Sequence, residues 1–235
     1  SIEIIKSFEE QITGWISEPD EGYADALAKG FAMSNSTYQC WINSGDLLLL
    51  GALDLARDLL VSTGADLIYG DDVYINEENR IIAHSSGYVS SLRNMMLYGG
   101  WTPLQDACYW KKQLYDDVGG INKNLKYAAD YNLFLSMSYM GKSQYVPVIF
   151  SAFRKHKDQK SILSADMYRL ERQVVRQARL KDTSENKFKL QLYNLWYYVM
   201  VRWRAHISKR LHRQRIKPGV NVSSIRALCT KECLY

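Results

Sequence analysis

The chain has 235 residues, 47% hydrophobic and 23% charged, an ordinary globular composition with room for one large domain or a domain plus an appendage. No 18-residue apolar run occurs, so no segment is expected to cross a bilayer as a helix. The net charge of +5 is concentrated at 181–217, where ten Lys or Arg face two acids, Asp182 and Glu185; the rest of the chain is slightly acidic, which places any anionic partner at the C-terminal part.

In chain order, residues 1–10 carry Ile2, Ile5 and Phe8 on one side and read as the end of an amphipathic helix. A short strand is expected at 12–17, broken by Glu18-Pro19-Asp20. Asp20 is placed to cap a helix bearing Ala24, Leu27, Ala28, Phe31 and Ala32. A second strand is expected at 38–43, ended by Ser44-Gly45-Asp46, then a helix with Leu50, Leu53, Ala56, Leu59 and Leu60. The third strand, 65–69, should end at Gly70-Asp71-Asp72. Strand, polar turn, helix, strand is the alternation of an α/β sheet with helices packed on it, whose ligands gather where strands end. Further on, helices are expected at 91–98 and 129–140, and strands at 107–110 and 146–153. From Ser164 the chain turns helical and basic.

Three acidic positions could carry chemistry. Asn43-Ser44-Gly45-Asp46 and Asp71-Asp72 offer hard oxygen ligands for magnesium or manganese, although both also suit plain turns. Asp130 begins a helix among apolar neighbours, where partial desolvation could raise its pKa and let it take a proton from an alcohol; an N-cap role fits the same position. The 17 Tyr and 6 Trp suit sugar stacking, membrane interfaces and plain cores alike. Cys40, Cys108, Cys229 and Cys233 have no disulfide rhythm and read as free thiols in a reducing compartment.

Taken together, several segments resemble the family 2 glycosyltransferases of the GT-A fold. Trp15-Ile16-Ser17-Glu18-Pro19-Asp20-Glu21-Gly22, with Asp25-Ala26 and Lys29-Gly30 after it, is similar to that family's Ser-Glu-Pro-Asp-x-Gly stretch and the helix ending in Lys-Gly. Ile42-Asn43-Ser44-Gly45-Asp46 looks like its acidic metal motif, and Leu67-Ile68-Tyr69-Gly70-Asp71 like the next strand and turn. Pro103-Leu104-Gln105-Asp106 opens a segment like its acceptor-side strand. Val118-Gly119-Gly120 and Tyr127 to Tyr131 resemble the part that carries the base, and Phe153-Arg154-Lys155-His156 the closing strand.

The resemblance implies an α/β, GT-A-like (Rossmann-like) mixed sheet flanked by helices over 1–161, followed by a helical basic extension at 162–235. It implies inverting transfer of a sugar from a nucleotide-diphosphate donor to a glycan or lipid-linked acceptor, in bacterial surface-polysaccharide assembly. Asp130 would be the base. Asp46 and His156 would hold a divalent cation (Mn2+ or Mg2+); Glu18, Asp20, Lys29 and Asn43 would face the donor, and Trp101 and Gln105 the acceptor. On this resemblance Asp71 becomes a structural turn residue. Gly45 stands where many relatives have a second Asp, so the metal motif rests on one carboxylate.

The family's first βα portion, which holds nucleobase and ribose, has no counterpart here, so a truncated catalytic domain with weakened donor binding is expected. A non-catalytic sugar-binding or membrane-associated assembly subunit is the alternative. Residues 186–217 interleave Trp and Leu with Arg and Lys, a pattern that fits an anionic membrane surface, packing on the catalytic domain or a subunit contact; no nucleic-acid motif accompanies it. The expected location is cytoplasmic, and peripheral on the cytoplasmic membrane face if the tail takes the first of these roles.

Overall fold

A strand buried on both faces must lie between two layers, and Leu67–Ile75 (β3) is that strand: all but one of its nine residues are buried. The structure is a computed structural model that describes residues 1–87, 91–99, 101–156, 159, 163–182, 192 and 218–225. Before β3 come helices α1 (Ile2–Ser7) and α2 (Tyr23–Met33), strands β1 (Tyr38–Gln39) and β2 (Leu47–Leu48), and helix α3 (Ala52–Thr63). After it come β4 (Ile81–Ser85), α4 (Leu92–Gly99), β5 (Cys108–Lys111), α5 (Lys112–Asp117), α6 (Ala129–Met140), β6 (Ser143–Arg154) and α7 (Ala165–Asp182).

The sheet order is β1-β5-β3-β6-β2, with β4 also on β3. β3 and β6 are parallel, and the other pairings are antiparallel. Period-two alternation along β3 sends Leu67 and Tyr69 into one core and Ile68 into the other. The first core is aromatic: Trp41 stacks on Phe134 at 5.5 Å, and Phe31 and Trp110 meet them edge-on. The second is the α3 face, Ala52, Ala56, Leu59 and Leu60 against Val148 and Phe150. α6 is buried nearly all round (Tyr131, Leu133, Phe134, Leu135, Met137), as befits a core helix.

The mixed sheet flanked by helices is the α/β architecture expected from the alternation, with local corrections. Residues 12–17 form no strand; Ile12 and Ile16 are exposed and pair with nothing regular. Asp20 does not cap α2: its carboxylate accepts the Gly22 N–H at 2.9 Å in a local turn, and Gly22 occupies the cap position. The second strand pairs only at Tyr38–Gln39.

The larger difference lies at Gly70-Asp71-Asp72, which is strand interior and not a turn. Pairing with β6 shifts register there, and a Cβ on Gly70 would lie 2.5 Å from the Val148 carbonyl, so glycine is what lets the two backbones close up. Asp71 is tolerated inside because its Oδ1 accepts from the Gly87 N–H and the Tyr145 hydroxyl. Near the other end of the chain, residues 218–225 return to the β3–β4 hairpin: Gly219 N–H donates to the Ile81 carbonyl, and Val222 joins a small core with Val73, Ile75 and Ile81. The 161/162 division and the basic segment 186–217, Leu192 apart, lie outside the described residues.

Candidate functional site

One face of β3 and β6 is polar where apolar side chains would be the default. Asp72 stands in register between Ser85 of β4 and Ser151 of β6, and Asp106 approaches it from the 3-10 turn Gln105–Ala107. Asp72 and Asp106 are only 1% and 3% exposed. Among the described residues, neither carboxylate oxygen of Asp72 nor Oδ2 of Asp106 has a hydrogen-bond partner; the Ser85 and Ser151 hydroxyls lie close enough to ease their charge without reaching bonding geometry.

Burial first, then the neighbouring Asp106 and Asp71 charges, push the Asp72 carboxyl well above the usual range, with Lys155 pulling the other way. Burial also pushes Asp106 up to about 6, helped by the Asp46 charge and opposed by Ser151. Lys155 rests over the Tyr74 ring at 4.3 Å.

Above this layer the structure joins positions that sequence alone set on two sides of a site. The Asn43 Nδ2 donates to Gln105 Oε1 at 2.8 Å, although 62 positions separate them, and Gln105 Nε2 in turn donates to the Trp41 carbonyl. Asp46 lies next to them. Its Oδ1 accepts the Arg154 N–H at 2.9 Å, and burial raises its pKa against the opposing pull of Arg154, Asn43 and His156. His156 is exposed and near enough to Asp46 for its charge to be felt.

Among the described residues no group of three or more His, Cys, Asp or Glu is arranged to hold a metal. One carboxylate with an imidazole nearby fits a cation that takes most of its ligands from phosphate and water, the usual habit of magnesium, and does not fit an all-protein cage.

Glu18 and Lys29 belong to an arrangement with Asp25 at the start of α2, while the Asp20 carboxylate is taken up by its own turn. The Lys29 ammonium binds Glu18 at 2.8 Å, Asp25 at 3.3 Å and the Pro19 carbonyl at 2.9 Å. Asp25, which is buried, accepts from the Glu21 N–H and is held below the usual carboxylate range by that bond, Lys29 and Lys123. This knot secures the entry to α2. Trp101 packs beside Tyr69, ring centroids 6.3 Å apart, at the edge of the aromatic core.

Asp130 lies in the first turn of α6. It is closely surrounded by protein while keeping some surface exposure. Burial lifts its carboxyl to about 6, tempered by the Tyr131 N–H, Tyr168 and Arg172. The buried Cys108 thiol on β5 is raised by burial and then by the charges of both Asp106 and Asp130, so these two carboxyls flank one strand end. Cys40 and Cys108 are free thiols.

Several neighbours here were given no part in the site by the family resemblance, although Asp71-Asp72 had stood out as an acidic pair. Asp72 looks like a turn residue, Asp106 is one more acid after Gln105, and Tyr168, Glu171 and Arg172 belong to a helix that reads as an appendage. Among the described residues no helix is long and apolar enough to cross a membrane.

No protein-family model matches the chain, and no curated protein matches it. Solved structures do. S. aureus TarS 1-349 in complex with UDP matches 83% of this chain and 56% of its own at 10% identity, with a TM-score of 0.58. The same protein in complex with UDP-GlcNAc matches 67% and 47% at 11% identity and a TM-score of 0.52, and a longer S. aureus TarS 66% and 29% at 12% and 0.53. The chain thus spans about half the length of the TarS 1-349 structures. At such identities the likeness establishes the fold alone, a mixed sheet flanked by helices that this chain shares with the TarS structures.

Proposed function

We propose that this chain is catalytic-domain sequence of an inverting glycosyltransferase that moves a sugar from a nucleotide-diphosphate donor to a glycan or lipid-linked hydroxyl. The observation that carries the reading is Asp130. It is a partly exposed carboxyl that burial lifts to about 6, set beside the same strand end as the Asp106–Asp46–Asn43–Gln105 group. A base working near neutrality wants such a value, since it must be ionised and still basic enough to hold a proton.

In the reaction the Asp130 carboxylate takes the proton of the acceptor hydroxyl as its oxygen bonds to the anomeric carbon. The bond from that carbon to the donor's phosphate breaks on the opposite face, the nucleoside diphosphate leaves with the electron pair, and the centre inverts. Asp46, with His156 beside it, would hold a manganese or magnesium ion, which supplies neutralisation of the charge growing on the diphosphate. Asn43 and Gln105, tied to each other, would orient donor and acceptor at their meeting point. The neighbours bound to UDP and UDP-GlcNAc support this class of donor.

The reading is tested by titrating UDP and UDP-GlcNAc into the chain with and without manganese, and by following UDP release. Manganese should strengthen UDP binding in the parent and not in Asp46→Asn. Asp130→Asn should bind as the parent does and lose UDP release by 100-fold or more, roughly the share of rate a general base supplies. Undiminished release from Asp130→Asn would remove Asp130 from the base's role.

A further inference from the structure

Helix α7 follows the last strand, yet one turn of it is aimed back at Asp130. Tyr168, Glu171 and Arg172 are spaced i, i+3 and i+4 and so share a helix face. The Glu171 carboxylate accepts the N–H groups of Lys126, Tyr127 and Ala128 at 3.0, 2.7 and 2.6 Å, the donors that lead into α6. A negative charge at that point also complements the positive end of α6. The Arg172 guanidinium lies 5.6 Å from the Tyr168 ring and 5.9 Å from the Tyr131 ring, and Arg179 donates to the Ser136 hydroxyl at 2.8 Å further along. Together these contacts hold α7 against α6 at the position of Asp130. The Tyr168 hydroxyl is 3.1 Å from the Thr102 hydroxyl and near enough to the Asp130 carboxylate to ease its charge.

A phenol has one proton to donate and lone pairs to accept. If Thr102 donates to Tyr168, the Tyr168 proton is directed to Asp130. We propose that Tyr168 is a positioning residue that steadies the ionised Asp130 through this relay, docked by Glu171 and Arg172, so that the helix after the last strand completes the acid–base site. The proposal rests on the reading of Asp130 as the base for its catalytic meaning, though not for its geometry.

The groups that face Asp130 come from three elements: Tyr23 of α2, Tyr168 and Arg172 of α7, and Cys108 of β5, with the Tyr131 N–H from its own helix. Glu171 stands one step away, beyond Tyr23. Tyr23 provides the contrast. Its hydroxyl donates to the Tyr127 carbonyl and accepts from the Ala129 N–H, so it ties down the same helix start through backbone groups.

The experiment is a pH titration of the Asp130 carboxyl carbon by NMR in the full chain, assigned with Asp130→Asn, for the parent, Tyr168→Phe, Thr102→Val and Tyr23→Phe. Losing the Tyr168 hydroxyl should raise the Asp130 midpoint by about one pH unit, a tenfold change in proton affinity. Thr102→Val should move it the same way by less, and Tyr23→Phe should leave it near the parent value. An unmoved midpoint in Tyr168→Phe, or an equal shift in Tyr23→Phe, overturns the proposal. UDP-GlcNAc hydrolysis over the same pH range separates the two ideas. If the acid limb follows the NMR midpoint, both stand; if the midpoint moves and the limb does not, positioning survives and the assignment of Asp130 as base fails.

Discussion

Asp106 offers a measurement of how much the buried polar layer costs the fold. Its carboxyl titrates at about 6 in the folded chain against an ordinary 3.8, chiefly because burial disfavours the charge. Between those values the folded protein binds more protons than the unfolded one, so stability falls as pH rises through the window, and the loss is complete above about 6. A displacement of about two units corresponds to roughly 3 kcal/mol.

Asp106→Asn keeps the shape and removes the charge. It should therefore be more stable than the parent by about 2–3 kcal/mol at pH 8 and nearly equal to it at pH 4. For a chain of this size that is a rise in Tm of about 5–10 °C at pH 8. The relief extends to Asp72, whose own proton is held partly by the Asp106 charge. Urea unfolding followed by tryptophan fluorescence, at half-unit steps from pH 4 to 8 in EDTA, reads the difference directly. Parallel parent and variant curves across that range would refute the reasoning, because they would mean that Asp106 titrates alike in the two states.

Packing and backbone make two further predictions. Trp110 is fully buried and meets Phe31, Trp41 and Phe134, so Trp110→Ala should cost about 3–5 kcal/mol and flatten the near-UV circular dichroism. The two glycine-to-alanine changes at 70 and 30 should have opposite signs. At Gly70 the new methyl would press on the Val148 carbonyl at 2.5 Å and the Phe150 ring at 2.7 Å, and a loss of about 1–3 kcal/mol should appear as a lower Tm. At Gly30, in α2, nothing lies within 4 Å, and helix propensity should add about 0.5–1 kcal/mol.

Local periodicity was enough to place much of the scaffold. The α3 positions Ala56, Leu59 and Leu60 are set by residues three and four apart, so the apolar pattern alone orients that helix, whereas α6, buried nearly all round, could be given its span but not its orientation. The order of weak motifs pointed to the fold that the chain shares with the TarS structures, and it is what put Asp46 and Asp130 forward as site residues. It could not tell that Gly70-Asp71-Asp72 continues a strand, because a Gly-Asp pair has the same local chemistry in a turn; the decision comes from β4 and β6 closing on either side.

Nor could it join Asn43 to Gln105, or bring Tyr168 of α7 to Asp130. Those contacts link positions tens of residues apart, and no spacing rule reaches across them. The perturbed carboxyls share that origin. A carboxyl is moved from its usual range by what surrounds it in space, and only the packed sheet and the helices on it supply those surroundings.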